Sequence, residues 1–197
     1  MRRYRCAILV LMLISFLGCA HVESYIDIAK EKGVSNEYLD EMCKWTREKK
    51  IYSQFDTILY IVATYKSIEF KQAYLKEYSR LYSLSKTEEE KREAVLSELS
   101  SDFTEFYFYA YNPDHDAIDF SKPNSIWKIF LVDEKGRQIY PAAVNHIKKI
   151  TPLVENFYPY INQYHGKFYY LRFPPQKSGK LKLVFTSVLG KAELEWR

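Results

Sequence analysis

The sequence predicts an α+β fold: an antiparallel β-sandwich with N-terminal helices and a two-helix insertion between the first and second strands. Three observations predict it. Aromatic residues make up 17% of the chain, with 18 Tyr and 12 Phe, and these residue types suit half-buried pleated surfaces. From Ser101 onward the apolar period is two, in short segments separated by Pro, Gly and Asx turns, the pattern of sandwiches and barrels. Between residues 67 and 100 the apolar period is instead helical.

Each element has a local reason. Val22, Tyr25, Ile26 and Ala29 recur at helical spacing, and Gly33 is placed to end that helix in the left-handed conformation. Ser35 is placed to cap a second helix, with Val34 and Leu39 positioned as a hydrophobic staple. Tyr38, Leu39, Met42, Cys43 and Trp45 form its apolar face. Ile51–Lys66 fits a helical template through Ile51, Phe55, Ile58, Leu59 and Val62. Thr57, Ile58, Ile61, Val62 and Thr64 are nevertheless β-branched, which favours a strand. Ile58–Ala63 is apolar on both faces, as a central strand is, so the segment reads as one long strand.

Ser67 caps the next helix, with Phe70, Ala73, Tyr74, Tyr78, Leu81 and Tyr82 as its stripe and Lys71, Lys76, Glu77 and Arg80 off it. Thr87-Glu88-Glu89-Glu90 reads as a capping box for a further helix. Its acids also suit the positive end of the helix dipole. Val95, Leu96 and Leu99 supply the apolar side, and Glu88–Glu93 reads as a solvated face.

The strands then follow. Phe103–Tyr111 ends at Asn112-Pro113-Asp114. Ser125–Val132 leads through the turn Asp133–Gly136 into Arg137–Tyr140. Asn145–Ile150 is a short apolar and basic segment, and Phe168–Phe173 is stopped by Pro174-Pro175. Lys180–Thr186 turns at Leu189-Gly190 into Ala192–Trp196.

The first nineteen residues bear on location. Arg2, Arg3 and Arg5 precede Cys6–Leu17, a run of twelve with Ser15 as its one polar member. This is the layout of an export signal, and it falls short of the roughly 20 apolar residues that span a bilayer. Phe16-Leu17-Gly18-Cys19 resembles the lipobox of prokaryotic lipoproteins. Gly18 and Cys19 match that pattern, whereas Phe16 and Leu17 stand where it prefers Leu and a small residue. The resemblance implies cleavage between Gly18 and Cys19, a diacylglyceryl thioether on the Cys19 sulfur and acylation of its new amine. Two or three acyl chains anchor stably where one is marginal. Ala20 after the anchor favours an outer over an inner membrane within that family. Gly18 and Ala20 also make a small-x-small pair that an ordinary signal peptidase cuts after Ala20.

The domain plan is then a cleaved signal at 1–18, a lipid-anchored tether or short helix at 19–34, and one β-rich domain at 35–197 with its helical insertion at about 67–100. The body from Trp45 to Trp196 is similar to small bacterial lipoproteins that share a helix-then-strands plan. That similarity carries no catalytic residue across.

Lys and Arg number 29 against 25 Asp and Glu, and loss of Arg2, Arg3 and Arg5 brings the basic count to 26. A near-neutral body lacks the basic excess of a nucleic-acid binder. The expected partners are therefore the membrane, through lipid on Cys19, and envelope proteins or glycans. With Cys6 in the signal and Cys19 lipidated, Cys43 stands alone. An unpaired thiol in an oxidising compartment is expected to be buried, with a reactive or intermolecular thiol as the alternative.

No catalytic motif emerges. Asn112-x-Asp114-x-Asp116 opens like a calcium loop, but Ala117 and Pro123 stand where that loop needs Gly and a bidentate Glu. Asp114, Asp116 and Asp119 leave a looser site, set against a simple polar turn. His21, His115, His146 and His165 form no metal-ligand pair. No cofactor, metal site or catalytic residue is assigned. Tyr158, Tyr160, Tyr164 and Tyr169 are the candidate ligand-contact aromatics, set against core packing with their hydroxyls satisfied. The functional expectation is a lipid-anchored, non-enzymatic binding or accessory module of the cell envelope. The alternative is an envelope hydrolase with a dispersed triad, or a metal held by Asp114, Asp116 and His115.

Overall fold

The computed structural model describes residues 22–53, 56–100, 102–113, 119–176 and 179–197. In chain order the elements are α1 (Val22–Glu31), α2 (Asn36–Trp45), β1 (Thr46–Ser53), β2 (Asp56–Tyr65), α3 (Ile68–Tyr82), α4 (Lys86–Ser100) and β3 (Thr104–Tyr111). They continue with β4 (Lys128–Val132), β5 (Gln138–Ile139), β6 (Ala143–His146), α5 (Pro152–Phe157), β7 (Gly166–Phe173), β8 (Leu181–Ser187) and β9 (Gly190–Trp196). One sheet runs β1-β2-β3-β7-β6 and the other β5-β4-β8-β9, with every pairing antiparallel. The expected α+β antiparallel sandwich is the architecture found.

The larger sheet is buried on both faces, and its sequence shows why. Along β3, Phe106, Phe108 and Ala110 enter the core between the sheets, while Tyr107, Tyr109 and Tyr111 pack toward the helices. In β7, Tyr169, Leu171 and Phe173 face the inter-sheet core and Phe168 faces the helices. In β2, Leu59, Ile61 and Ala63 take the first side and Tyr60 and Val62 the second. Strict alternation with apolar residues at both parities produces a three-layer body of helices, sheet and sheet. Fully burying a ring such as Phe108, which has no exposed surface, contributes about 2–3 kcal/mol.

The helices seal as expected. Gly33 has φ +81°, and Val34 N–H donates to the Ala29 carbonyl at 3.2 Å, closing α1. The Ser35 hydroxyl accepts from Tyr38 N–H at 3.3 Å, and Val34 and Leu39 are both buried in the helix-side core. The Ser67 hydroxyl accepts from Phe70 N–H at 3.1 Å and starts α3. One side of the sandwich is closed where β1 meets β9. There Trp196 Nε1–H donates to the Trp45 carbonyl at 2.7 Å and Arg47 Nε–H to the Glu195 carbonyl at 3.0 Å.

Several details differ from expectation. Ile51–Lys66 is not one strand: it spans the end of β1 and all of β2, paired from Thr46↔Thr64 to Ser53↔Asp56. The helical insertion therefore lies between β2 and β3. Charged residues hid β1, because Arg47–Lys50 alternates poorly until the strand is seen as a sheet edge. The capping box of α4 is Ser85 with Glu88 rather than Thr87 with Glu90. Lys71 and Glu77, placed off the α3 stripe, are buried, while Leu81 and Tyr82 are exposed. The α5 turn is capped by Thr151, whose hydroxyl accepts from Val154 N–H, with Pro152 opening the helix. Val22–Glu31, read as tether or short helix, is a helix packed on the body through Ala29. Gly18, Cys19, Asp114, His115 and Asp116 lie outside the described residues. Among the described residues no helix is long and apolar enough to cross a membrane.

Candidate functional site

The helix-side face of the larger sheet holds an unusual group at one end. Glu105 and Arg172 are cross-strand partners on β3 and β7. Both have the parity of the helix-facing residues Tyr107 and Tyr170, so their side chains emerge beneath α3. Lys66 follows β2 beside them, its backbone N–H donating to the Glu105 carbonyl at 2.9 Å. The Ser67 cap then starts α3 at once, which brings Lys71 over the same spot one turn later. Three cations from different parts of the chain thus surround one carboxylate.

The Lys71 ammonium lies 3.0 Å from Glu105 Oε2, and that of Lys66 lies 3.6 Å away. Arg172 Nη2 lies 3.6 Å from Oε1. The Tyr170 hydroxyl donates to Glu105 Oε1 and accepts from Arg172 Nη2–H at 3.1 Å. The guanidinium of Arg172 sits 4.4 Å from the Phe103 ring centroid, and the Lys66 ammonium 4.8 Å from that of Tyr107. Such contacts partly replace hydration around a cation. Arg172 Nε–H is buried and has no acceptor among the described residues.

This cluster forms part of the wall of an open cavity of about 940 Å³ bounded by α3, α4 and the sheet. Tyr74, Leu75, Tyr78, Val95, Tyr158 and Phe168 contribute apolar wall. Arg92 of α4 lies 5.1 Å over the Tyr78 ring, tying the outer helix to the inner one. Five cations line the space, Lys66, Lys71, Lys91, Arg92 and Arg172, against three carboxylates, Glu88, Asp102 and Glu105. The excess is two positive charges in a partly desolvated place. Burial pushes the Lys66 ammonium below the usual lysine value; the Glu105 charge opposes the shift, while Lys71 and Arg172 reinforce it. Burial likewise pushes the Tyr107 and Tyr158 hydroxyls up.

A second cleft, between α2 and α3, has its charges satisfied internally. Glu77 accepts from Ser35 N–H at 3.0 Å, from the Ser35 hydroxyl at 2.7 Å and from Arg80, which also donates to the Gly33 carbonyl at 2.6 Å. Burial raises the Glu77 carboxyl, but these hydrogen bonds and the Arg80 charge outweigh it and hold it at about 2. This network latches the α1–α2 junction onto α3.

The four candidate tyrosines do not converge on one surface. Tyr158 lies in the cavity wall, packed on Tyr107 and Phe168. Tyr160 is buried in the helix-side core with its hydroxyl 2.8 Å from that of Thr64. Tyr169 is fully buried between the sheets, stacked on Phe108. Tyr164 is 81% exposed. His146 packs against Tyr169, and burial lowers its basicity against the opposing Asp119 charge. Asp119 caps its own turn by accepting from Ser121. Cys43 is a free, half-buried thiol pushed up by burial and by Asp40. Among the described residues no group of three or more His, Cys, Asp or Glu is placed to hold a metal.

Sequence reasoning missed Lys66, Lys71, Glu105 and Arg172. A signal was present. Lys71 shares the helical spacing of Tyr74, Leu75 and Tyr78, and Glu105 and Arg172 occupy inward parities of strands otherwise lined by rings. Charges at inward positions on three neighbouring elements mark a buried polar cluster. No protein-family model, curated protein or solved structure matches the chain.

Proposed function

We propose that this protein is a non-enzymatic binding module of the bacterial cell envelope, tethered by lipid on Cys19, and that the cavity beneath α3 and α4 is its ligand site. The observation that carries the binding role is the cavity itself. Its volume of about 940 Å³ falls in the range of small-molecule sites, and it combines apolar walls with a few convergent polar groups. The anchor rests on the basic start, the apolar run and the Gly18-Cys19 junction.

Each half has its own test. Palmitate labelling of cells expressing wild type and Cys19→Ser should label wild type alone; equal labelling of both removes the anchor. For the cavity, the dye 1-anilinonaphthalene-8-sulfonate should bind saturably at one site. Val95 is 55% exposed, so Val95→Trp should obstruct the cavity without disturbing the core. It should weaken the dye at least about tenfold at unchanged melting temperature. Dye uptake that does not saturate, or that ignores this substitution, removes the cavity as a ligand site.

A further inference from the structure

We infer that the cavity takes an amphipathic oxyanion, a carboxylate or phosphate head held by Lys66 and Arg172 beside the Lys71–Glu105 pair, with an apolar chain or ring lying along Tyr74, Tyr78 and Phe168. The inference rests on the cavity being the ligand site, and it names the chemistry that site selects.

Charge is the first argument. Cations in a low-dielectric place are tolerated when carboxylates match them. Here the lining carries two more cations than carboxylates. One of those carboxylates, Glu88, is engaged in capping α4 through Ser85 N–H and the Ser85 hydroxyl. An oxyanion would neutralise the excess.

Donor supply is the second. A guanidinium offers five N–H donors in a planar fork that matches carboxylate and phosphate. Among the described residues, the hydrogen bond Arg172 makes is to the Tyr170 hydroxyl, and its contact with Glu105 is long at 3.6 Å. Lys66 likewise stands 3.6 Å from Glu105 and leans on the Tyr107 and Tyr170 rings. Both cations are orientated by aromatic faces, with much of their donor capacity left for a ligand.

The third argument is the wall. Tyr74, Tyr78, Tyr158 and Phe168 are rings, and Leu75, Val95 and Leu96 are aliphatic. A bare inorganic anion would leave this surface unused, and a neutral apolar molecule would leave the cations uncompensated. A ligand with one charged end and one apolar end satisfies both.

The test displaces 1-anilinonaphthalene-8-sulfonate from the whole protein with dodecanoate, dodecyl phosphate, dodecanol and inorganic phosphate. Dodecanoate or dodecyl phosphate should compete at least about tenfold better than dodecanol, and inorganic phosphate should compete poorly. Whichever head wins distinguishes a fatty-acid source from a phospholipid source. Lys66→Gln and Arg172→Gln, both at partly exposed positions, should each weaken the winning amphiphile about tenfold while leaving dodecanol unchanged. Equal competition by dodecanol and dodecanoate would overturn the oxyanion head and leave the cavity as a ligand site. Displacement by inorganic phosphate alone would overturn the amphipathic class. Failure of every amphiphile to displace a dye that Val95→Trp still weakens would overturn the ligand class and leave the cavity as a ligand site.

Discussion

The ammonium of Lys71 on α3 lies 3.0 Å from the carboxylate of Glu105 on β3, both side chains about nine-tenths buried. This contact joins the inserted helices to the sheet and sets the charge of the cavity floor. Glu105 is also the shared neighbour of Lys66, Arg172 and Tyr170. Removing it leaves three cations facing one another.

Glu105→Gln is therefore expected to cost about 3–5 kcal/mol of stability, the range for stripping one partner from a buried ion pair. Lys71→Met combined with Glu105→Gln should cost less than the two single changes added, because the double variant leaves one fewer buried cation. Urea denaturation of the four proteins in the cycle measures the coupling. Strict additivity would show that the pair does not act as a unit.

Glu77 makes a pH prediction. Its folded carboxyl is held at about 2, below the ordinary value of about 4.3. A depressed carboxyl contributes stability above the unfolded value and loses it as pH falls through the folded one. The loss should extend from about pH 4.5 to about pH 2 and reach about 3 kcal/mol. Glu77→Gln should be less stable at pH 7 and show a smaller loss over that window. Denaturant midpoints at pH 7, 4 and 2.5 decide it; an identical pH slope in both proteins would remove Glu77 from the account.

Gly166 opens β7 against Tyr109 and the β3 backbone. A Cβ added there would come within 2.5 Å of the Tyr109 ring and hydroxyl and 2.6 Å of the Ala110 carbonyl oxygen. The carbonyl belongs to the Ala110–Lys167 pairing and cannot yield without breaking register. Gly166→Ala should therefore destabilise by about 1–3 kcal/mol. Thermal unfolding checks this, and a melting temperature within a degree of wild type would contradict it.

Lys66 couples ligand binding to protons. It faces Glu105, Lys71 and Arg172 and the Tyr107 and Tyr170 rings. Burial lowers it below the usual 10.5, so it becomes neutral at a lower pH than an exposed lysine. An oxyanion prefers the charged form. Dodecanoate affinity should thus fall as pH rises through that lowered value, and Lys66→Arg, whose side chain stays charged, should flatten the profile. Equal alkaline losses in both proteins would assign the effect to another group.

Much of the body was legible because its causes are local. Alternating Phe and Tyr over Phe106–Tyr109 specify a strand buried on both faces, and Ser35, Gly33 and Ser67 specify helix ends through their own side chains or backbone freedom. The sandwich class follows from such segments repeated along the chain.

The hairpin β1–β2 was less legible. Thr46–Ser53 is an edge strand rich in charge, and its strand character comes from pairing with β2 more than from its own composition.

By itself the sequence determined the helices α3 and α4, the strands β3, β4, β7, β8 and β9, and the two-sided burial of Ile58–Ala63, but not the α5 turn. Only the tertiary structure decided that Lys66, Lys71, Glu105 and Arg172 meet, and that Tyr160 and Tyr169 lie in separate cores. The physical reason is separation along the chain. Periodicity reports which face a residue occupies within its own element, whereas a site joining residues 66, 71, 105 and 172 depends on strand register and on where a helix lands across the sheet.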